Sequence, residues 1–170
     1  MTAERSSGRL TVPDSEKLVT TNRRARHEYH VEESLEAGLV LTGTEVKALR
    51  SGRASLAEAY ARVQGEEVWL HHLHIPPYDA GNIFNHDPLR PRKLLLHRRQ
   101  IERLTGRAGQ KGYTIVPLRL YFSRGRAKVE IAVARGKKLY DKREAIGERE
   151  AGREAQRALK RTVGGRRERE

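Results

Sequence analysis

Two segments of alternating apolar residues, Tyr113–Phe122 and Arg126–Ala134, flank the turn Ser123-Arg124-Gly125, and no other feature restricts the fold as strongly. Ile115, Leu118, Leu120 and Phe122 on one side, and Val129, Ile131 and Val133 on the other, predict an antiparallel hairpin with one face in a core. Two shorter strands are predicted over Glu58–Val63 and Glu67–Ile75, joined at Gln64-Gly65-Glu66 and ended by Pro76-Pro77. Arg26–Leu41 is mainly strand-compatible. Thr42-Gly43-Thr44-Glu45 then spells a capping box, with Val46 and Leu49 as an apolar stripe and Gly52 as the stop. Tyr78–Pro91 reads as a long loop, and Lys93–Leu104 has helical spacing up to Gly106. The helix-per-strand alternation of a parallel sheet is missing. The pattern therefore predicts a mainly β fold, a closed antiparallel barrel with short flanking helices.

The 170 residues suit one domain with some excess, and only 36% are hydrophobic. A modest core with solvated extensions follows. With 35 Lys+Arg against 22 Asp+Glu the net charge is +13, which points to a polyanionic partner. The absence of cysteine excludes disulfides, thiolate zinc sites and a cysteine nucleophile. The longest apolar runs, Leu39-Val40-Leu41 and Leu94-Leu95-Leu96, are far too short to span a membrane, and Met1–Arg9 has no apolar core of a secretory signal. A soluble cytoplasmic protein is expected, without cofactor or metal. No oligomerisation device is visible, so a monomer is expected.

The charge is unevenly placed. Residues 1–21 hold 3 basic and 3 acidic groups and read as a flexible lead-in. Residues 22–135, the predicted barrel, hold 20 basic and 12 acidic, and the tail 136–170 holds 12 basic and 7 acidic. Ile146 and Leu159 are the only large aliphatics within 140–161, so a helix there has no apolar face to bury. The tail is expected to be disordered when free, or helical on a partner. Wound as a helix, it gathers Arg149, Arg153, Arg157, Lys160 and Arg161 within about 120°, with Glu144, Glu148 and Glu154 mostly outside. That stripe is either a solvated face or a surface that folds against phosphates.

Other clusters admit a bland and a sharp reading. On a strand, His72 and His74 would share a face and His71 would oppose them, which suits a surface pair better than a metal site. Asn85-His86-Asp87 with His97 could serve a hydrolytic RNA-processing centre, but Asn-His-Asp-Pro is also turn chemistry. Gly106, Gly109 and Gly112 form no phosphate loop and read as a flexible loop. Tyr140, among Lys137, Lys138, Lys142 and Arg143, either stacks on a base or packs on the barrel end. A generic ribosomal or RNA-chaperone protein is a further possibility.

Four strings then resemble one family. They are Asn22-Arg23-Arg24-Ala25-Arg26-His27-Glu28-Tyr29; Glu36-Ala37-Gly38 through Leu41 to Lys47; Asn85-His86-Asp87-Pro88 through Arg92 to His97; and Gly136-Lys137-Lys138 through Asp141-Lys142-Arg143. Together they resemble the SsrA-binding protein (small protein B) family over about Asn22–Lys160. The resemblance implies an OB-like barrel and a non-enzymatic role. Such a protein binds transfer-messenger RNA and escorts it to ribosomes stalled without a stop codon. It implies that Glu36, Leu95, His97 and Lys128, with Asn22, Arg23, Arg24 and Arg26, hold the tRNA-like domain of that RNA. It further implies that Gly136, Lys137, Lys138, Tyr140, Asp141, Lys142 and Arg143 reach the decoding centre in the small-subunit RNA, with Arg149, Arg153 and Arg157 following along the mRNA path. His97 stands where some relatives carry asparagine.

Overall fold

The computed structural model describes residues 16–137 and 139–164. In chain order its elements are β1 (Lys17–Thr21), α1 (Arg23–Glu28), β2 (Tyr29–Leu39), α2 (Gly43–Arg50), β3 (Tyr60–Gln64) and β4 (Glu67–His71). A 3-10 turn at Asn82–Phe84 then precedes β5 (Arg92–Leu95), α3 (Arg98–Ala108), β6 (Tyr113–Ser123), β7 (Arg126–Gly136) and α4 (Leu139–Gly164). The strands form one antiparallel sheet in the order β1-β6-β3-β4-β5-β2-β7, and β7 also pairs with β6. The fold is mainly β.

The predicted hairpin is its longest pairing, running from Tyr113 opposite Arg135 to Ser123 opposite Arg126. Its two-residue turn has both central residues at positive φ, Arg124 at 50° and Gly125 at 74°, the geometry that matches strand twist. One residue departs from the predicted face. The register slips between Pro117 and Arg119, so Leu118 leaves the main core. Leu118 instead joins Val116, Ala132, Ala134 and Ala25 in a small second cluster beneath α1. Ile115, Leu120, Phe122, Val129, Ile131 and Val133 lie in the main core with Leu49, Leu70, Leu94 and Leu104.

Further expectations are corrected by packing. The lead-in reading of 1–21 stops short of Lys17, because β1 pairs with the Arg119–Phe122 end of β6; residues 1–15 lie outside the described residues. Arg26–Glu28 are helical rather than extended: Asn22 caps α1, its side-chain oxygen accepting from Ala25 N–H at 3.0 Å. Lys93–Leu95 belong to β5 and the helix begins only at Arg98. Three successive leucines satisfy either period, and here Leu94 points into the core while Leu95 points out. Gly106 sits within α3, Gly109 caps it, and Gly112, at φ 87°, makes the turn into β6, so the segment is no loose loop.

α2 starts where predicted, with the Glu45 carboxylate accepting from Thr42 N–H at 2.8 Å. That carboxylate also does more than cap. Glu45 and Arg92 are both fully buried and paired at 2.8 Å, and Arg90 adds a second contact at 2.7 Å. Arg92 donates in turn to the carbonyls of Leu73 and Pro88, so one guanidinium ties α2 and β5 to the loop before it. Burial alone would raise the Glu45 carboxyl, but hydrogen bonds from Arg90, Thr42 N–H and Arg92 bring it down to about 2.

Candidate nucleic-acid interface

Strand alternation puts Leu35, Ala37 and Leu39 of β2 inside and leaves Glu36 outside. Across the sheet Glu36 lies opposite Glu130 of β7, and Gly38 lies opposite both Lys128 of β7 and Leu95 of β5. Gly38 matters for its missing side chain. A Cβ there would stand 3.1 Å from the Leu95 Cβ, so glycine lets Leu95 lean over β2. Glu36, Lys128 and Leu95 thus converge, with the Lys128 ammonium 3.3 Å from Glu36 and Leu95 54% exposed.

Two depressions meet on this face. One, of about 440 Å³, is lined by Glu36, Ser123, Arg124, Arg126 and Lys128. The other, of about 320 Å³, is more apolar and includes Gly38, Leu41, Val46, Leu95 and Phe122. Arg126 and Lys128 belong to both. Cations therefore stand between a polar and an apolar hollow, an arrangement that can hold a phosphate beside a splayed base. Sequence reasoning missed Arg124 and Arg126; their signal was the basic hairpin turn that places them at the end of the strand carrying Lys128.

Glu36 is held from below. Tyr121 of β6 donates its hydroxyl to one carboxylate oxygen while Lys128 faces the other. The Tyr121 hydrogen bond, with Lys128 and Arg119 assisting, holds the Glu36 carboxyl below its ordinary value. Burial and the same bond push the Tyr121 phenol up, so it stays protonated and donating. His97 begins α3, where its N–H donates to the Gln100 side chain at 2.9 Å, and its ring is exposed two residues beyond Leu95.

The basic segment at 22–26 divides. Asn22 is buried, and its amide is fully engaged with Ala25 N–H, Leu56 C=O and Pro117 C=O at 3.0, 3.1 and 3.0 Å. It builds the fold and offers nothing outward. Arg24 pairs with Glu28 at 2.9 Å and with Glu58, whereas Arg23 and Arg26 are exposed on α1. α1 lies beside the start of the tail: Lys137 N–H donates to Glu28 C=O at 2.8 Å, and the Lys137 ammonium to Arg26 C=O at 3.4 Å. Gly136 pairs with Tyr29, seven residues along β2 from Glu36, about 23 Å of extended chain. The structure therefore places the Arg26 end of α1 with Gly136 and Lys137, away from the Glu36 face.

Lys138 lies outside the described residues. Tyr140, Asp141, Lys142 and Arg143 fall in the first turns of α4. Residues 146–158, Arg149, Arg153 and Arg157 among them, are exposed throughout. Over 146–158 the helix therefore rests on the propensity of its Glu, Arg and Ala.

The remaining candidates are absorbed by structure. His86 donates from Nε2 to Ile75 C=O at 2.9 Å and has Thr44 Oγ1 at 3.0 Å on Nδ1, leaving neither nitrogen to act as a base. Asn85 clamps both backbone groups of Tyr78, which is turn chemistry. His72 sits at φ 58°, which ends the strand and breaks the face predicted for it with His74. His71 instead stacks on Tyr60 at 5.3 Å. Among the described residues no cluster of three or more metal-binding side chains occurs, and no helix is long and apolar enough to cross a membrane.

A basic, mainly β domain with a charged and apolar face of this kind belongs to the class built to grip a polyanion that also offers flat apolar surfaces. The chain belongs to the SmpB protein family, whose family model matches residues 19–161. It is 62% identical over 144 residues to an SsrA-binding protein of Syntrophomonas wolfei, covering 85% of this chain and 92% of that protein. It is 61% identical over 145 residues to an SsrA-binding protein of Thermobifida fusca, covering 85% and 91%. A solved structure described as "tmRNA-SmpB: a journey to the center of the bacterial ribosome" superimposes with a TM-score of 0.62 at 49% identity, covering 75% of this chain and 93% of that one.

Proposed function

We propose that this chain binds transfer-messenger RNA and delivers it to stalled ribosomes for rescue by trans-translation, in the bacterial cytoplasm and without catalysing a reaction. The observation that carries this is the convergence of Glu36, Lys128 and Leu95 across β2, β7 and β5, in a chain of a family whose members are SsrA-binding proteins. The pairing of β7 back onto β6 supports a closed, OB-like barrel over 22–135. Its Glu36 face, extended by His97, Arg124 and Arg126, takes the tRNA-like domain: Lys128 and the arginines meet phosphates, and Leu95 packs on an unstacked base.

The far end of β2 takes the ribosome. Arg23, Arg26, Gly136 and Lys137 form its described part, and Lys138, Tyr140, Asp141, Lys142 and Arg143 continue it into the decoding centre. α4 then lies along the mRNA path with Arg149, Arg153 and Arg157 toward small-subunit RNA. A binding assay with the tRNA-like domain and with bulk RNA, each at two salt concentrations, tests the reading. Preferential binding of the tRNA-like domain is expected, with affinity falling steeply as salt rises through counterion release. Equal affinity for any duplex overturns it, as does cleavage of the RNA by pure protein.

A further inference from the structure

Tyr121 is 2% exposed, yet its hydroxyl reaches an exposed surface. It sits opposite Lys128, and Glu36 lies on the next strand over, opposite Glu130. The phenol therefore crosses β7 between Lys128 and Glu130 to meet a carboxylate two strands away. The ring is fixed from its other side. The Arg119 guanidinium lies 4.5 Å from the ring centre and is itself held by Glu130 at 2.6 Å and Glu16 at 2.8 Å. All this order supports one half-exposed side chain, Glu36, whose carboxylate would otherwise rotate freely.

We propose that Tyr121 is a positioning residue of the RNA-binding face, its phenol fixing the Glu36 carboxylate in the single orientation that the RNA meets. This rests on the function proposed above. With Tyr121 on one oxygen and Lys128 on the other, the remaining lone pairs point in set directions, so Glu36 accepts from a donor on a base edge without losing side-chain freedom on binding. The bond also keeps the carboxylate ionised, together with Arg119 on β6 and Lys128 on β7 and against Glu130 on β7. A neutral glutamic acid would exchange part of that accepting capacity for an O–H donor and match a base-edge donor less well. Arg119 and Tyr121 share a face by strand alternation, two residues apart on β6 and past the bulge near Leu118.

Full-length Tyr121→Phe, titrated with the tRNA-like domain of transfer-messenger RNA, tests the inference. Binding is expected to weaken about five- to tenfold, the loss of one charge-assisted hydrogen bond. In a Glu36→Gln background the same change is expected to add less than twofold. The Glu36 carboxyl resonance should titrate at higher pH in Tyr121→Phe, which a merely structural tyrosine would not bring about. Replacing Tyr121 with 4-aminophenylalanine returns a donor and should restore affinity, which separates positioning from misfolding. Wild-type affinity for Tyr121→Phe beside a weakened Glu36→Gln overturns the inference alone, as does a Tyr121→Phe loss that adds in full to that of Glu36→Gln. Wild-type affinity for Glu36→Gln overturns the RNA-face reading and the inference with it.

Discussion

The sheet and the tail both carry excess positive charge, but they hold it in opposite ways. On the sheet Lys128 is set against Glu36 and Arg119 against Glu130 and Glu16, and from α3 Arg103 and Arg107 reach Glu33 and Glu32 of β2. Each such exposed pair adds little to stability, yet it fixes where the charge stands before any partner arrives. Along α4, from Ile146 to Ala158, every residue is exposed, and backbone winding alone sets the direction of each cation. A preset surface suits a folded RNA of one shape. A basic helix supported by its own hydrogen bonds suits a channel whose walls complete the fit.

The largest effect that this contrast predicts comes from cutting between the two regions. A chain ending at Lys137 keeps β7 and its Lys137–Glu28 tie intact. It should bind the tRNA-like domain within about threefold of the full chain, because the tail's contribution there is only the screened, long-range kind. Rescue of stalled ribosomes, followed by tagging of the truncated peptide in a reconstituted system, should be lost entirely. Loss of RNA binding as well would show that the two regions share one site.

The next effect is on stability and should fall on the sheet alone. Glu45→Ala leaves the Arg92 charge buried without its partner, which costs about 3–5 kcal/mol, so thermal melting should drop sharply while the circular dichroism of α4 in the folded chain stays unchanged. The same carboxylate gives an acid limb. Its folded value of about 2 lies below its unfolded one, so its contribution is complete above the unfolded value and fades as pH falls toward 2. That contribution is roughly 3 kcal/mol in the parent protein, and Glu45→Ala should show a correspondingly flatter stability profile between about pH 5 and pH 2. An unchanged acid limb in the variant would remove Glu45 from the account.

Local signals located what is local, and the rest depended on strand pairing between distant segments. The β6–β7 hairpin, the α2 cap at Glu45 and the Gly52 stop all lie within a few residues of the chemistry that makes them. Leu118 departs from the face its spacing predicts because a one-residue bulge resets alternation and leaves no mark in composition. Lys93–Leu95 form a strand rather than the predicted helix because Leu94-Leu95-Leu96 suits either, and pairing with β4 and β2 decides between them. Within the site, Glu36, Leu95 and Lys128 were legible through resemblance. Tyr121, Arg124 and Arg126 join them by register across three strands, a relation that distances along the chain do not contain. Asn22 lies in a basic string and reads as an RNA contact until its three internal hydrogen bonds are seen.

The smallest effect probes the tail, where the structure has a helix and the sequence argues for a weak one. Gly147 and Gly152 lie in the interior of α4, and a Cβ added at either meets nothing within 4 Å. Substitution by alanine therefore changes backbone freedom and little else, favouring the helix by about 1 kcal/mol at each position. The double variant Gly147→Ala/Gly152→Ala should raise the helical circular dichroism signal of the free protein and leave both the melting of the sheet and the affinity for the tRNA-like domain unaltered. If the tail is ordered only on the ribosome, this variant should also need less protein for half-maximal rescue, since part of the ordering entropy has already been removed. An unchanged helical signal would mean that α4 is fully wound in the free protein. The two glycines would then be neutral, and the contrast between the preset sheet and the adaptable tail would reduce to one between paired and exposed charge.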